Sequence, residues 1–460
     1  MVNLVNFSGK PFHFIGIGGI GMSALAHILV RQGHQVSGSD LSENRITDRL
    51  KQMGVEVYRG HCADNINAIS RPQIICSTAI SQQNPEFQAA KALGLPILHR
   101  SDVLAALIDQ FKSIAVSGTH GKTTTSSLIS FLLLRAGVDP TIVIGGEVQD
   151  WQGNARLGQG EYLVAEADES DGSLVKFSPY LGVVTNIELD HPDHYHSLEQ
   201  VISTFQIFTD RCQVVVACTD CANIKQHLQP QITYSLNDTS ADYSATKVRY
   251  DSDATRAMIL EKGKPSGEIE MGLLGSHNLA NALAAIAVCR HIGIDWPVIQ
   301  AALPEFVGAG RRFEVKGKHD GIIFVDDYAH HPSEIRATLV SARQQEHKQV
   351  VAIFQPHRYS RTVRFLSEFA TAFTDADTVV VTDIYAAGEP NQDGITGEQV
   401  AEAIAQHHPN VHYRPTLVAV QSFLTKQLKS GDLALFLGAG NLNGIIAPTI
   451  EAMANCYVQS

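Results

Sequence analysis

Between Ser113 and Ser130 the chain reads SIAVSGTHGKTTTSSLIS, which sets two glycines, a lysine and a run of hydroxyls where an apolar stretch passes into a helical one. Gly118 and Gly121 let the backbone come close to an anion, and a helix starting there offers it unpaired N–H groups and a positive dipole end. Lys122 adds a charge suited to β- and γ-phosphates, and the Thr123 hydroxyl is placed to ligate Mg²⁺. The spacing departs from GxxxxGK[ST], whose first glycine would fall at Val116, and what remains is GxxGKTTT. The stretch reads as a phosphate-binding loop whose lining runs from Gly118 through Thr119, His120, Gly121, Lys122 and Thr123 to Thr124.

A second glycine turn lies near the start, where Gly16, Gly18 and Gly21 spell GxGxxG and Asp40 follows at the distance of a ribose-binding acid. By itself this suggests NAD, although a glycine turn at a helix N-terminus holds any diphosphate, that of a UDP-sugar included. Further on, Glu166-Ala-Asp168-Glu169-Ser170-Asp171 could supply oxygens to Mg²⁺ or form a solvated acidic loop. The run from Asn186 to His196 holds Asp190, His191, Asp193, His194 and His196; it reads as serving Mg²⁺–ATP, since its spacing fits no zinc motif. Asn278 and Asn281, one helical turn apart, could read an adenine edge or simply cap and pack. Arg311 and Arg312 suit a transferring phosphoryl group, and His357, Arg358 and Arg361 suit a carboxylate, or form a charged surface loop.

These residues sit where an alternation of strands and helices would carry them. Residues 11–40 read as strand, glycine turn, helix, strand, with further strands at 73–78 and 96–99, and helices at 86–93 and 102–110. A first domain over 1–111 is expected, followed by a second over 112–317 with strands at 113–117, 162–165 and 181–185 and an alanine-rich helix over 273–290 capped by Ser276. A third over 318–460 has strands at 322–325, 351–354, 377–383 and 434–440. The fold class is α/β in three domains, with both phosphate loops at the ends of strands, where such folds bind ligands.

Composition is that of a soluble globular protein. Of 460 residues 44% are hydrophobic and 18% charged, and the net charge of −12 disfavours nucleic acid or an anionic membrane as partner. The N-terminus lacks the pattern of a secretory leader, and no apolar run is long enough to span a bilayer, so a cytoplasmic protein is expected. Seven dispersed cysteines read as reduced thiols, and the one CxxC, Cys218 and Cys221, has no second pair at zinc-ribbon spacing.

Taken in order, GIGGIGM, GTHGKTTT, EADESD, TNIELDH, HNLANALAA, GRRFE, DDYAHHP and HRYSRT resemble the Mur ligases that build peptidoglycan, over essentially the entire chain. The resemblance implies a Rossmann-like UDP-sugar domain, a central P-loop ATPase domain and a Rossmann-like C-terminal domain that brings the amino acid. It implies ATP-driven ligation of L-alanine to the lactyl carboxylate of UDP-N-acetylmuramate through an acyl phosphate. The family's GxxGKT form accounts for Val116. By motif, Lys122 goes to the phosphates, Thr123 and Glu166 to one Mg²⁺, and His191 to a second. Asn278 and Asn281 go to adenine, Arg312 to phosphate and Asp327 to the ATP ribose, while His357, Arg358 and Arg361 go to the alanine carboxylate. Gly18, Gly19 and Gly21 would face the UDP diphosphate, with Asp40, Ser77 and Thr78 nearby. A monomer or weak homo-oligomer is expected. Family members that take a recycled tripeptide as the amine share most of these motifs, and an NAD-dependent oxidoreductase accounts for the first glycine turn only.

Overall fold

The computed structural model describes residues 5–457 and contains three sheets. The first has the strands Glu56–Arg59, Val36–Asp40, Phe12–Ile15, Gln73–Cys76 and Ile97–His99 in that spatial order, all parallel. Phe12–Ile15 is buried throughout, as a central strand covered on both faces should be.

The second sheet is ten-stranded. Lys112–Ser117 lies at its centre between Tyr162–Glu166 and Leu181–Val184, parallel to both. At one edge the strands Tyr243–Tyr250, Thr255–Glu261 and Lys264–Met271 add antiparallel hairpins. The helix Lys122–Arg135 that follows the central strand is buried from Thr123 to Leu133, on all sides. Three of its buried hydroxyls are satisfied: Ser126 Oγ donates to Thr123 O and Ser130 Oγ to Ser126 O, while Thr125 Oγ1 donates to Asn281 Oδ1; Ser127 Oγ is buried without a partner. Small side chains here admit the alanine-rich helix Ser276–His291 alongside.

The third sheet orders Glu314–His319, Ile322–Asp327, Asp432–Leu437, Gln349–Phe354, Thr378–Val381 and Val411–Tyr413, parallel except for the first. Apolar clusters fill both faces of this sheet, whereas the first two sheets share one continuous core.

Three expectations need correction. The boundary expected between 317 and 318 falls inside Glu314–His319, which pairs with Ile322–Asp327 across Asp320-Gly321. Both turn residues have positive φ, the geometry of a tight Asp-Gly hairpin, so the residues at the expected boundary form a sheet edge. The helix expected from Asp102 begins at Arg100, because His99 and Asp102 form a capping box across its first turn. Ser276 opens its helix instead of capping it; Gly275, at φ 92°, takes that place. Among the described residues no helix is long and apolar enough to cross a membrane.

Candidate active site

The turn after Lys112–Ser117 is built on glycine for two reasons. Gly118 has φ 134°, and a Cβ there would stand 1.9 Å from Thr185 Oγ1 on the neighbouring strand's end; Gly121 has φ 82° and abuts Asn281. Thr185 Oγ1 donates to His120 O and Asn186 Oδ1 accepts from His120 N, so the loop is held by its neighbour.

Lys122 Nζ donates to Gly118 O at 2.7 Å and to both oxygens of Glu169, at 3.0 and 2.9 Å, and lies 3.8 Å from Asp168. Burial works against its charge, but Glu169 and Asp168 outweigh burial and raise its pKa. Burial likewise leaves the Glu169 carboxyl above its ordinary value in spite of Lys122. Asp168, Glu169 and His191 bring ligand atoms within 4.8 Å of one another. His191 holds a left-handed backbone, φ 55°, which is strained for a residue with a side chain.

Glu166 stands apart from that cluster. One oxygen accepts from Gly145 N at 2.9 Å, and a Cβ on Gly145 would lie 2.6 Å from the other. A Cβ on the next residue, Gly146, would lie 2.8 Å from Thr123 Cγ2. Two consecutive glycines of Thr141–Val148 therefore make room for Thr123 and Glu166, a signal present in the sequence as Gly145-Gly146 and missed there.

The third sheet closes over this loop. Arg312 Nη2 donates to Thr123 Oγ1 at 3.4 Å, and the Arg311 and Arg312 guanidiniums both lie over the Tyr328 ring, at 4.9 and 5.1 Å. His120 bridges Glu188 of the second sheet, at 3.4 Å, and Glu334 of the third, at 3.2 Å. Burial depresses its pKa, yet Glu334 and Glu188 together push it up to about 10. His331, His120 and Glu188 form a second group with ligand atoms within 4.8 Å. Between the two sheets lies a cavity of about 570 Å³, lined by His120, Gly121, Thr124, Asn278, Asn281, Arg312 and Asp327 among others, with Cys218 and Cys221 on its wall. The cysteines described are all free thiols.

Within that wall the asparagines also work for the fold: Asn278 Nδ2 donates to Leu274 O and Asn281 Oδ1 takes the Thr125 hydroxyl. Asp327 accepts from the Phe313 and Ala329 amides, and burial pushes its pKa up to about 6. The cluster expected to bind a carboxylate has carboxylates already. Arg361 makes two hydrogen bonds to Asp190, at 2.9 and 3.3 Å, and Arg358 bonds Asp193 and Glu389. His357 stacks on Tyr385 and lies 3.3 Å from Arg361 Nη1.

In the first sheet Gly19 caps the helix Ile20–Arg31, and Gly18 N donates to Asp40 Oδ2 at 2.9 Å. Asp40 thus fastens the glycine turn itself. Ser77 and Thr78 follow the adjacent strand Gln73–Cys76, on the same sheet edge. The first two sheets meet where Asn154 Nδ2 donates to Ile20 O and Ser23 Oγ. They meet again at Arg100, which reaches Asp168 and Asp171 and was missed by sequence reasoning; its only signal was a position just past a strand end.

Comparisons with known proteins cover 98% of the chain. Three family models match: "Mur ligase family, catalytic domain" over residues 11–112, "Mur ligase middle domain" over 116–289 and "Mur ligase, glutamate ligase domain" over 311–440. The UDP-N-acetylmuramate–L-alanine ligase of Thermosynechococcus vestitus is 57% identical over 98% of this chain and 97% of its own. Among solved structures, the UDP-N-acetylmuramate-alanine ligase of Thermotoga maritima superposes with a TM-score of 0.83 at 30% identity, over 98% of this chain and 99% of that one. A murein peptide ligase from Psychrobacter arcticus shares the fold, with a TM-score of 0.72 at 23% identity over 97% and 99% of the two chains.

Proposed function

The chain belongs to the Mur ligase family, and from that premise we infer that it joins L-alanine to the lactyl carboxylate of UDP-N-acetylmuramate, converting ATP to ADP and phosphate in the synthesis of peptidoglycan precursors. Full-length similarity at 57% identity to an L-alanine ligase carries the substrate assignment. The tripeptide alternative has weaker support, since similarity to a murein peptide ligase at 23% identity speaks for the fold alone. An oxidoreductase leaves the second glycine loop without a purpose, and Asp40, its expected ribose acid, is engaged by Gly18 N.

A carboxylate is a poor acyl electrophile, so it must first be activated. The lactyl oxygen attacks the γ-phosphorus and ADP leaves; the alanine amine then adds to the acyl carbon of the acyl phosphate, and phosphate departs from the tetrahedral intermediate. Both steps depend on positioning and charge neutralisation. In this reading Lys122 exchanges its bonds to Glu169 and Gly118 O for phosphate oxygens. Arg312 meets the same phosphates from the third sheet, and Asn278, Asn281 and Asp327 take the adenosine end of the cavity. The Arg361 edge next to His357, with Arg358, takes the alanine carboxylate. Gly18, Gly19 and Gly21 take the diphosphate of the UDP-sugar, with Asp40, Ser77 and Thr78 beside them.

The oxygen donors fit Mg²⁺: Thr123 and Glu166 flank two glycines that leave no Cβ between them, and His191 has Asp168 and Glu169 within reach. Thr123 and Glu166 would hold one ion and His191 a second, where Mg²⁺ supplies neutralising charge to the phosphates. ATP and a UDP-sugar are cytoplasmic substrates, which supports that location, and we read the working form as a monomer or weak homo-oligomer.

The test is phosphate release by the purified chain with Mg²⁺–ATP, UDP-N-acetylmuramate and one amine at a time, omitting each substrate in turn. Release should require both the UDP-sugar and L-alanine. Release with the murein tripeptide alone would transfer the assignment to the recycling reaction.

A further inference from the structure

Arg100 opens the helix Arg100–Ile108 at the edge where the first sheet ends, and its guanidinium crosses to the second. Nη2 lies 3.4 Å from Asp171 and 3.5 Å from Asp168, and Asp168 is in turn 3.8 Å from Lys122 Nζ. On the opposite side, a Cβ at Gly21 would stand 3.1 Å from Arg100 Nη1. One side chain therefore spans the gap between the glycine turn of the first sheet and the phosphate loop of the second.

The two aspartates do not use up its donors. Both approach the same nitrogen at long range, and among the described residues Nη1 and Nε make no hydrogen bond. The side chain is a quarter exposed (25%), so those donors are accessible. Asp171, only 6% exposed, is also anchored by Ser173 N, which gives the guanidinium a fixed seat.

With a UDP diphosphate at the first loop and the γ-phosphate at the second, the sugar and its lactyl arm must lie between them. That arm ends in an anion that has to be held close to the γ-phosphate before it reacts. A planar fork of N–H donors is the side chain that matches a carboxylate. We propose that Arg100 binds the lactyl carboxylate of the UDP-sugar through its free donor edge, while Asp168 and Asp171 fix the guanidinium by its other nitrogen. The proposal rests on UDP-N-acetylmuramate being the substrate.

UDP-N-acetylglucosamine carries the same diphosphate and ring without the lactyl group, so it separates the two anions Arg100 could meet. Calorimetric titration of wild type, Arg100→Gln and Arg100→Lys with both compounds reads the ratio of affinities. The substitution Arg100→Gln should weaken UDP-N-acetylmuramate about 10- to 100-fold and leave UDP-N-acetylglucosamine within about twofold. The KM for the UDP-sugar should rise while that for ATP holds. Equal weakening of both compounds would make Arg100 a diphosphate ligand and overturn the proposal, as would no weakening of either. If Arg100→Gln does not fold, Arg100→Lys keeps the charge against both aspartates but not the fork; an affinity ratio equal to that of wild type then overturns the proposal. A wild type that shows no preference between the two compounds fails the substrate assignment itself, and the proposal with it.

Discussion

Asp190 and Arg361 form a buried, two-pronged ion pair, 5% and 3% exposed, that ties the loop preceding His191 to the helix Tyr359–Arg364 of the third sheet. Asp190 Oδ1 also accepts from His191 N at 2.7 Å. The backbone at His191 and the guanidinium of Arg361 are thereby both held by one carboxylate. Asp190→Ala strands a buried guanidinium and should cost about 3–5 kcal/mol of unfolding free energy. Urea unfolding at neutral pH checks this, and a midpoint equal to wild type would mean the pair is not closed in solution.

The buried histidines set opposing pH limits. His120 is pushed up to about 10, because Glu334 and Glu188 outweigh burial. Its stabilising contribution is complete below the unfolded value near 6.5 and is lost as pH rises toward 10. Burial pushes His330 and His331 down to about 4 and His357 to about 3; their contribution is present above 6.5 and lost as pH falls through those values. Stability should therefore decline on both sides of about pH 6.5. In His120→Gln the alkaline decline should flatten while the acid decline persists, as read by denaturant midpoints from pH 4 to 10. Parallel alkaline limbs in the two proteins would refute the role given to His120.

Lys122→Ala should abolish coupled phosphate release, with kcat down at least about 100-fold. It also leaves Glu169, 2% exposed, without its partner and so should lower stability. Adding Glu169→Gln should restore much of that stability and none of the activity. A single variant that turns over at the wild-type rate would remove Lys122 from the phosphate site.

Gly146→Ala tests the Mg²⁺ reading by sterics alone, for its backbone is not in the left-handed region and the new methyl would meet Thr123 Cγ2 at 2.8 Å. Displacing Thr123 should raise the Mg²⁺ concentration needed for half-maximal rate by about tenfold or more. An unchanged Mg²⁺ titration would exclude Thr123 as a ligand.

What the sequence made legible were features set by short spacing. The two glycine turns, the strands feeding them and the acids at 166–171 could be placed from neighbouring residues alone. Pairings made across the fold left no local trace: Lys122 with Glu169, Arg361 with Asp190, His120 with Glu334. The cluster at 357–361 read as a vacant anion site because its carboxylate partners, Asp190, Asp193 and Glu389, come from elsewhere in the chain. Arg100 escaped notice for the same reason, its meaning depending on Gly21 and Asp168. The hairpin at Asp320-Gly321 was different, a local Asp-Gly signal overlooked where the polar run Lys316 to His319 precedes it.

The cavity of about 570 Å³ has walls from two separately cored sheets. A nucleotide lodged there becomes interior material for both, so its concentration enters the free energy that keeps the third sheet docked. At a hundredfold excess over Kd the gain is about 2.7 kcal/mol. The connector between Phe306 and Phe313 shares in that docking, for Gly310 N donates to Glu147 O of the second sheet and Tyr328 N of the third donates to Arg311 O.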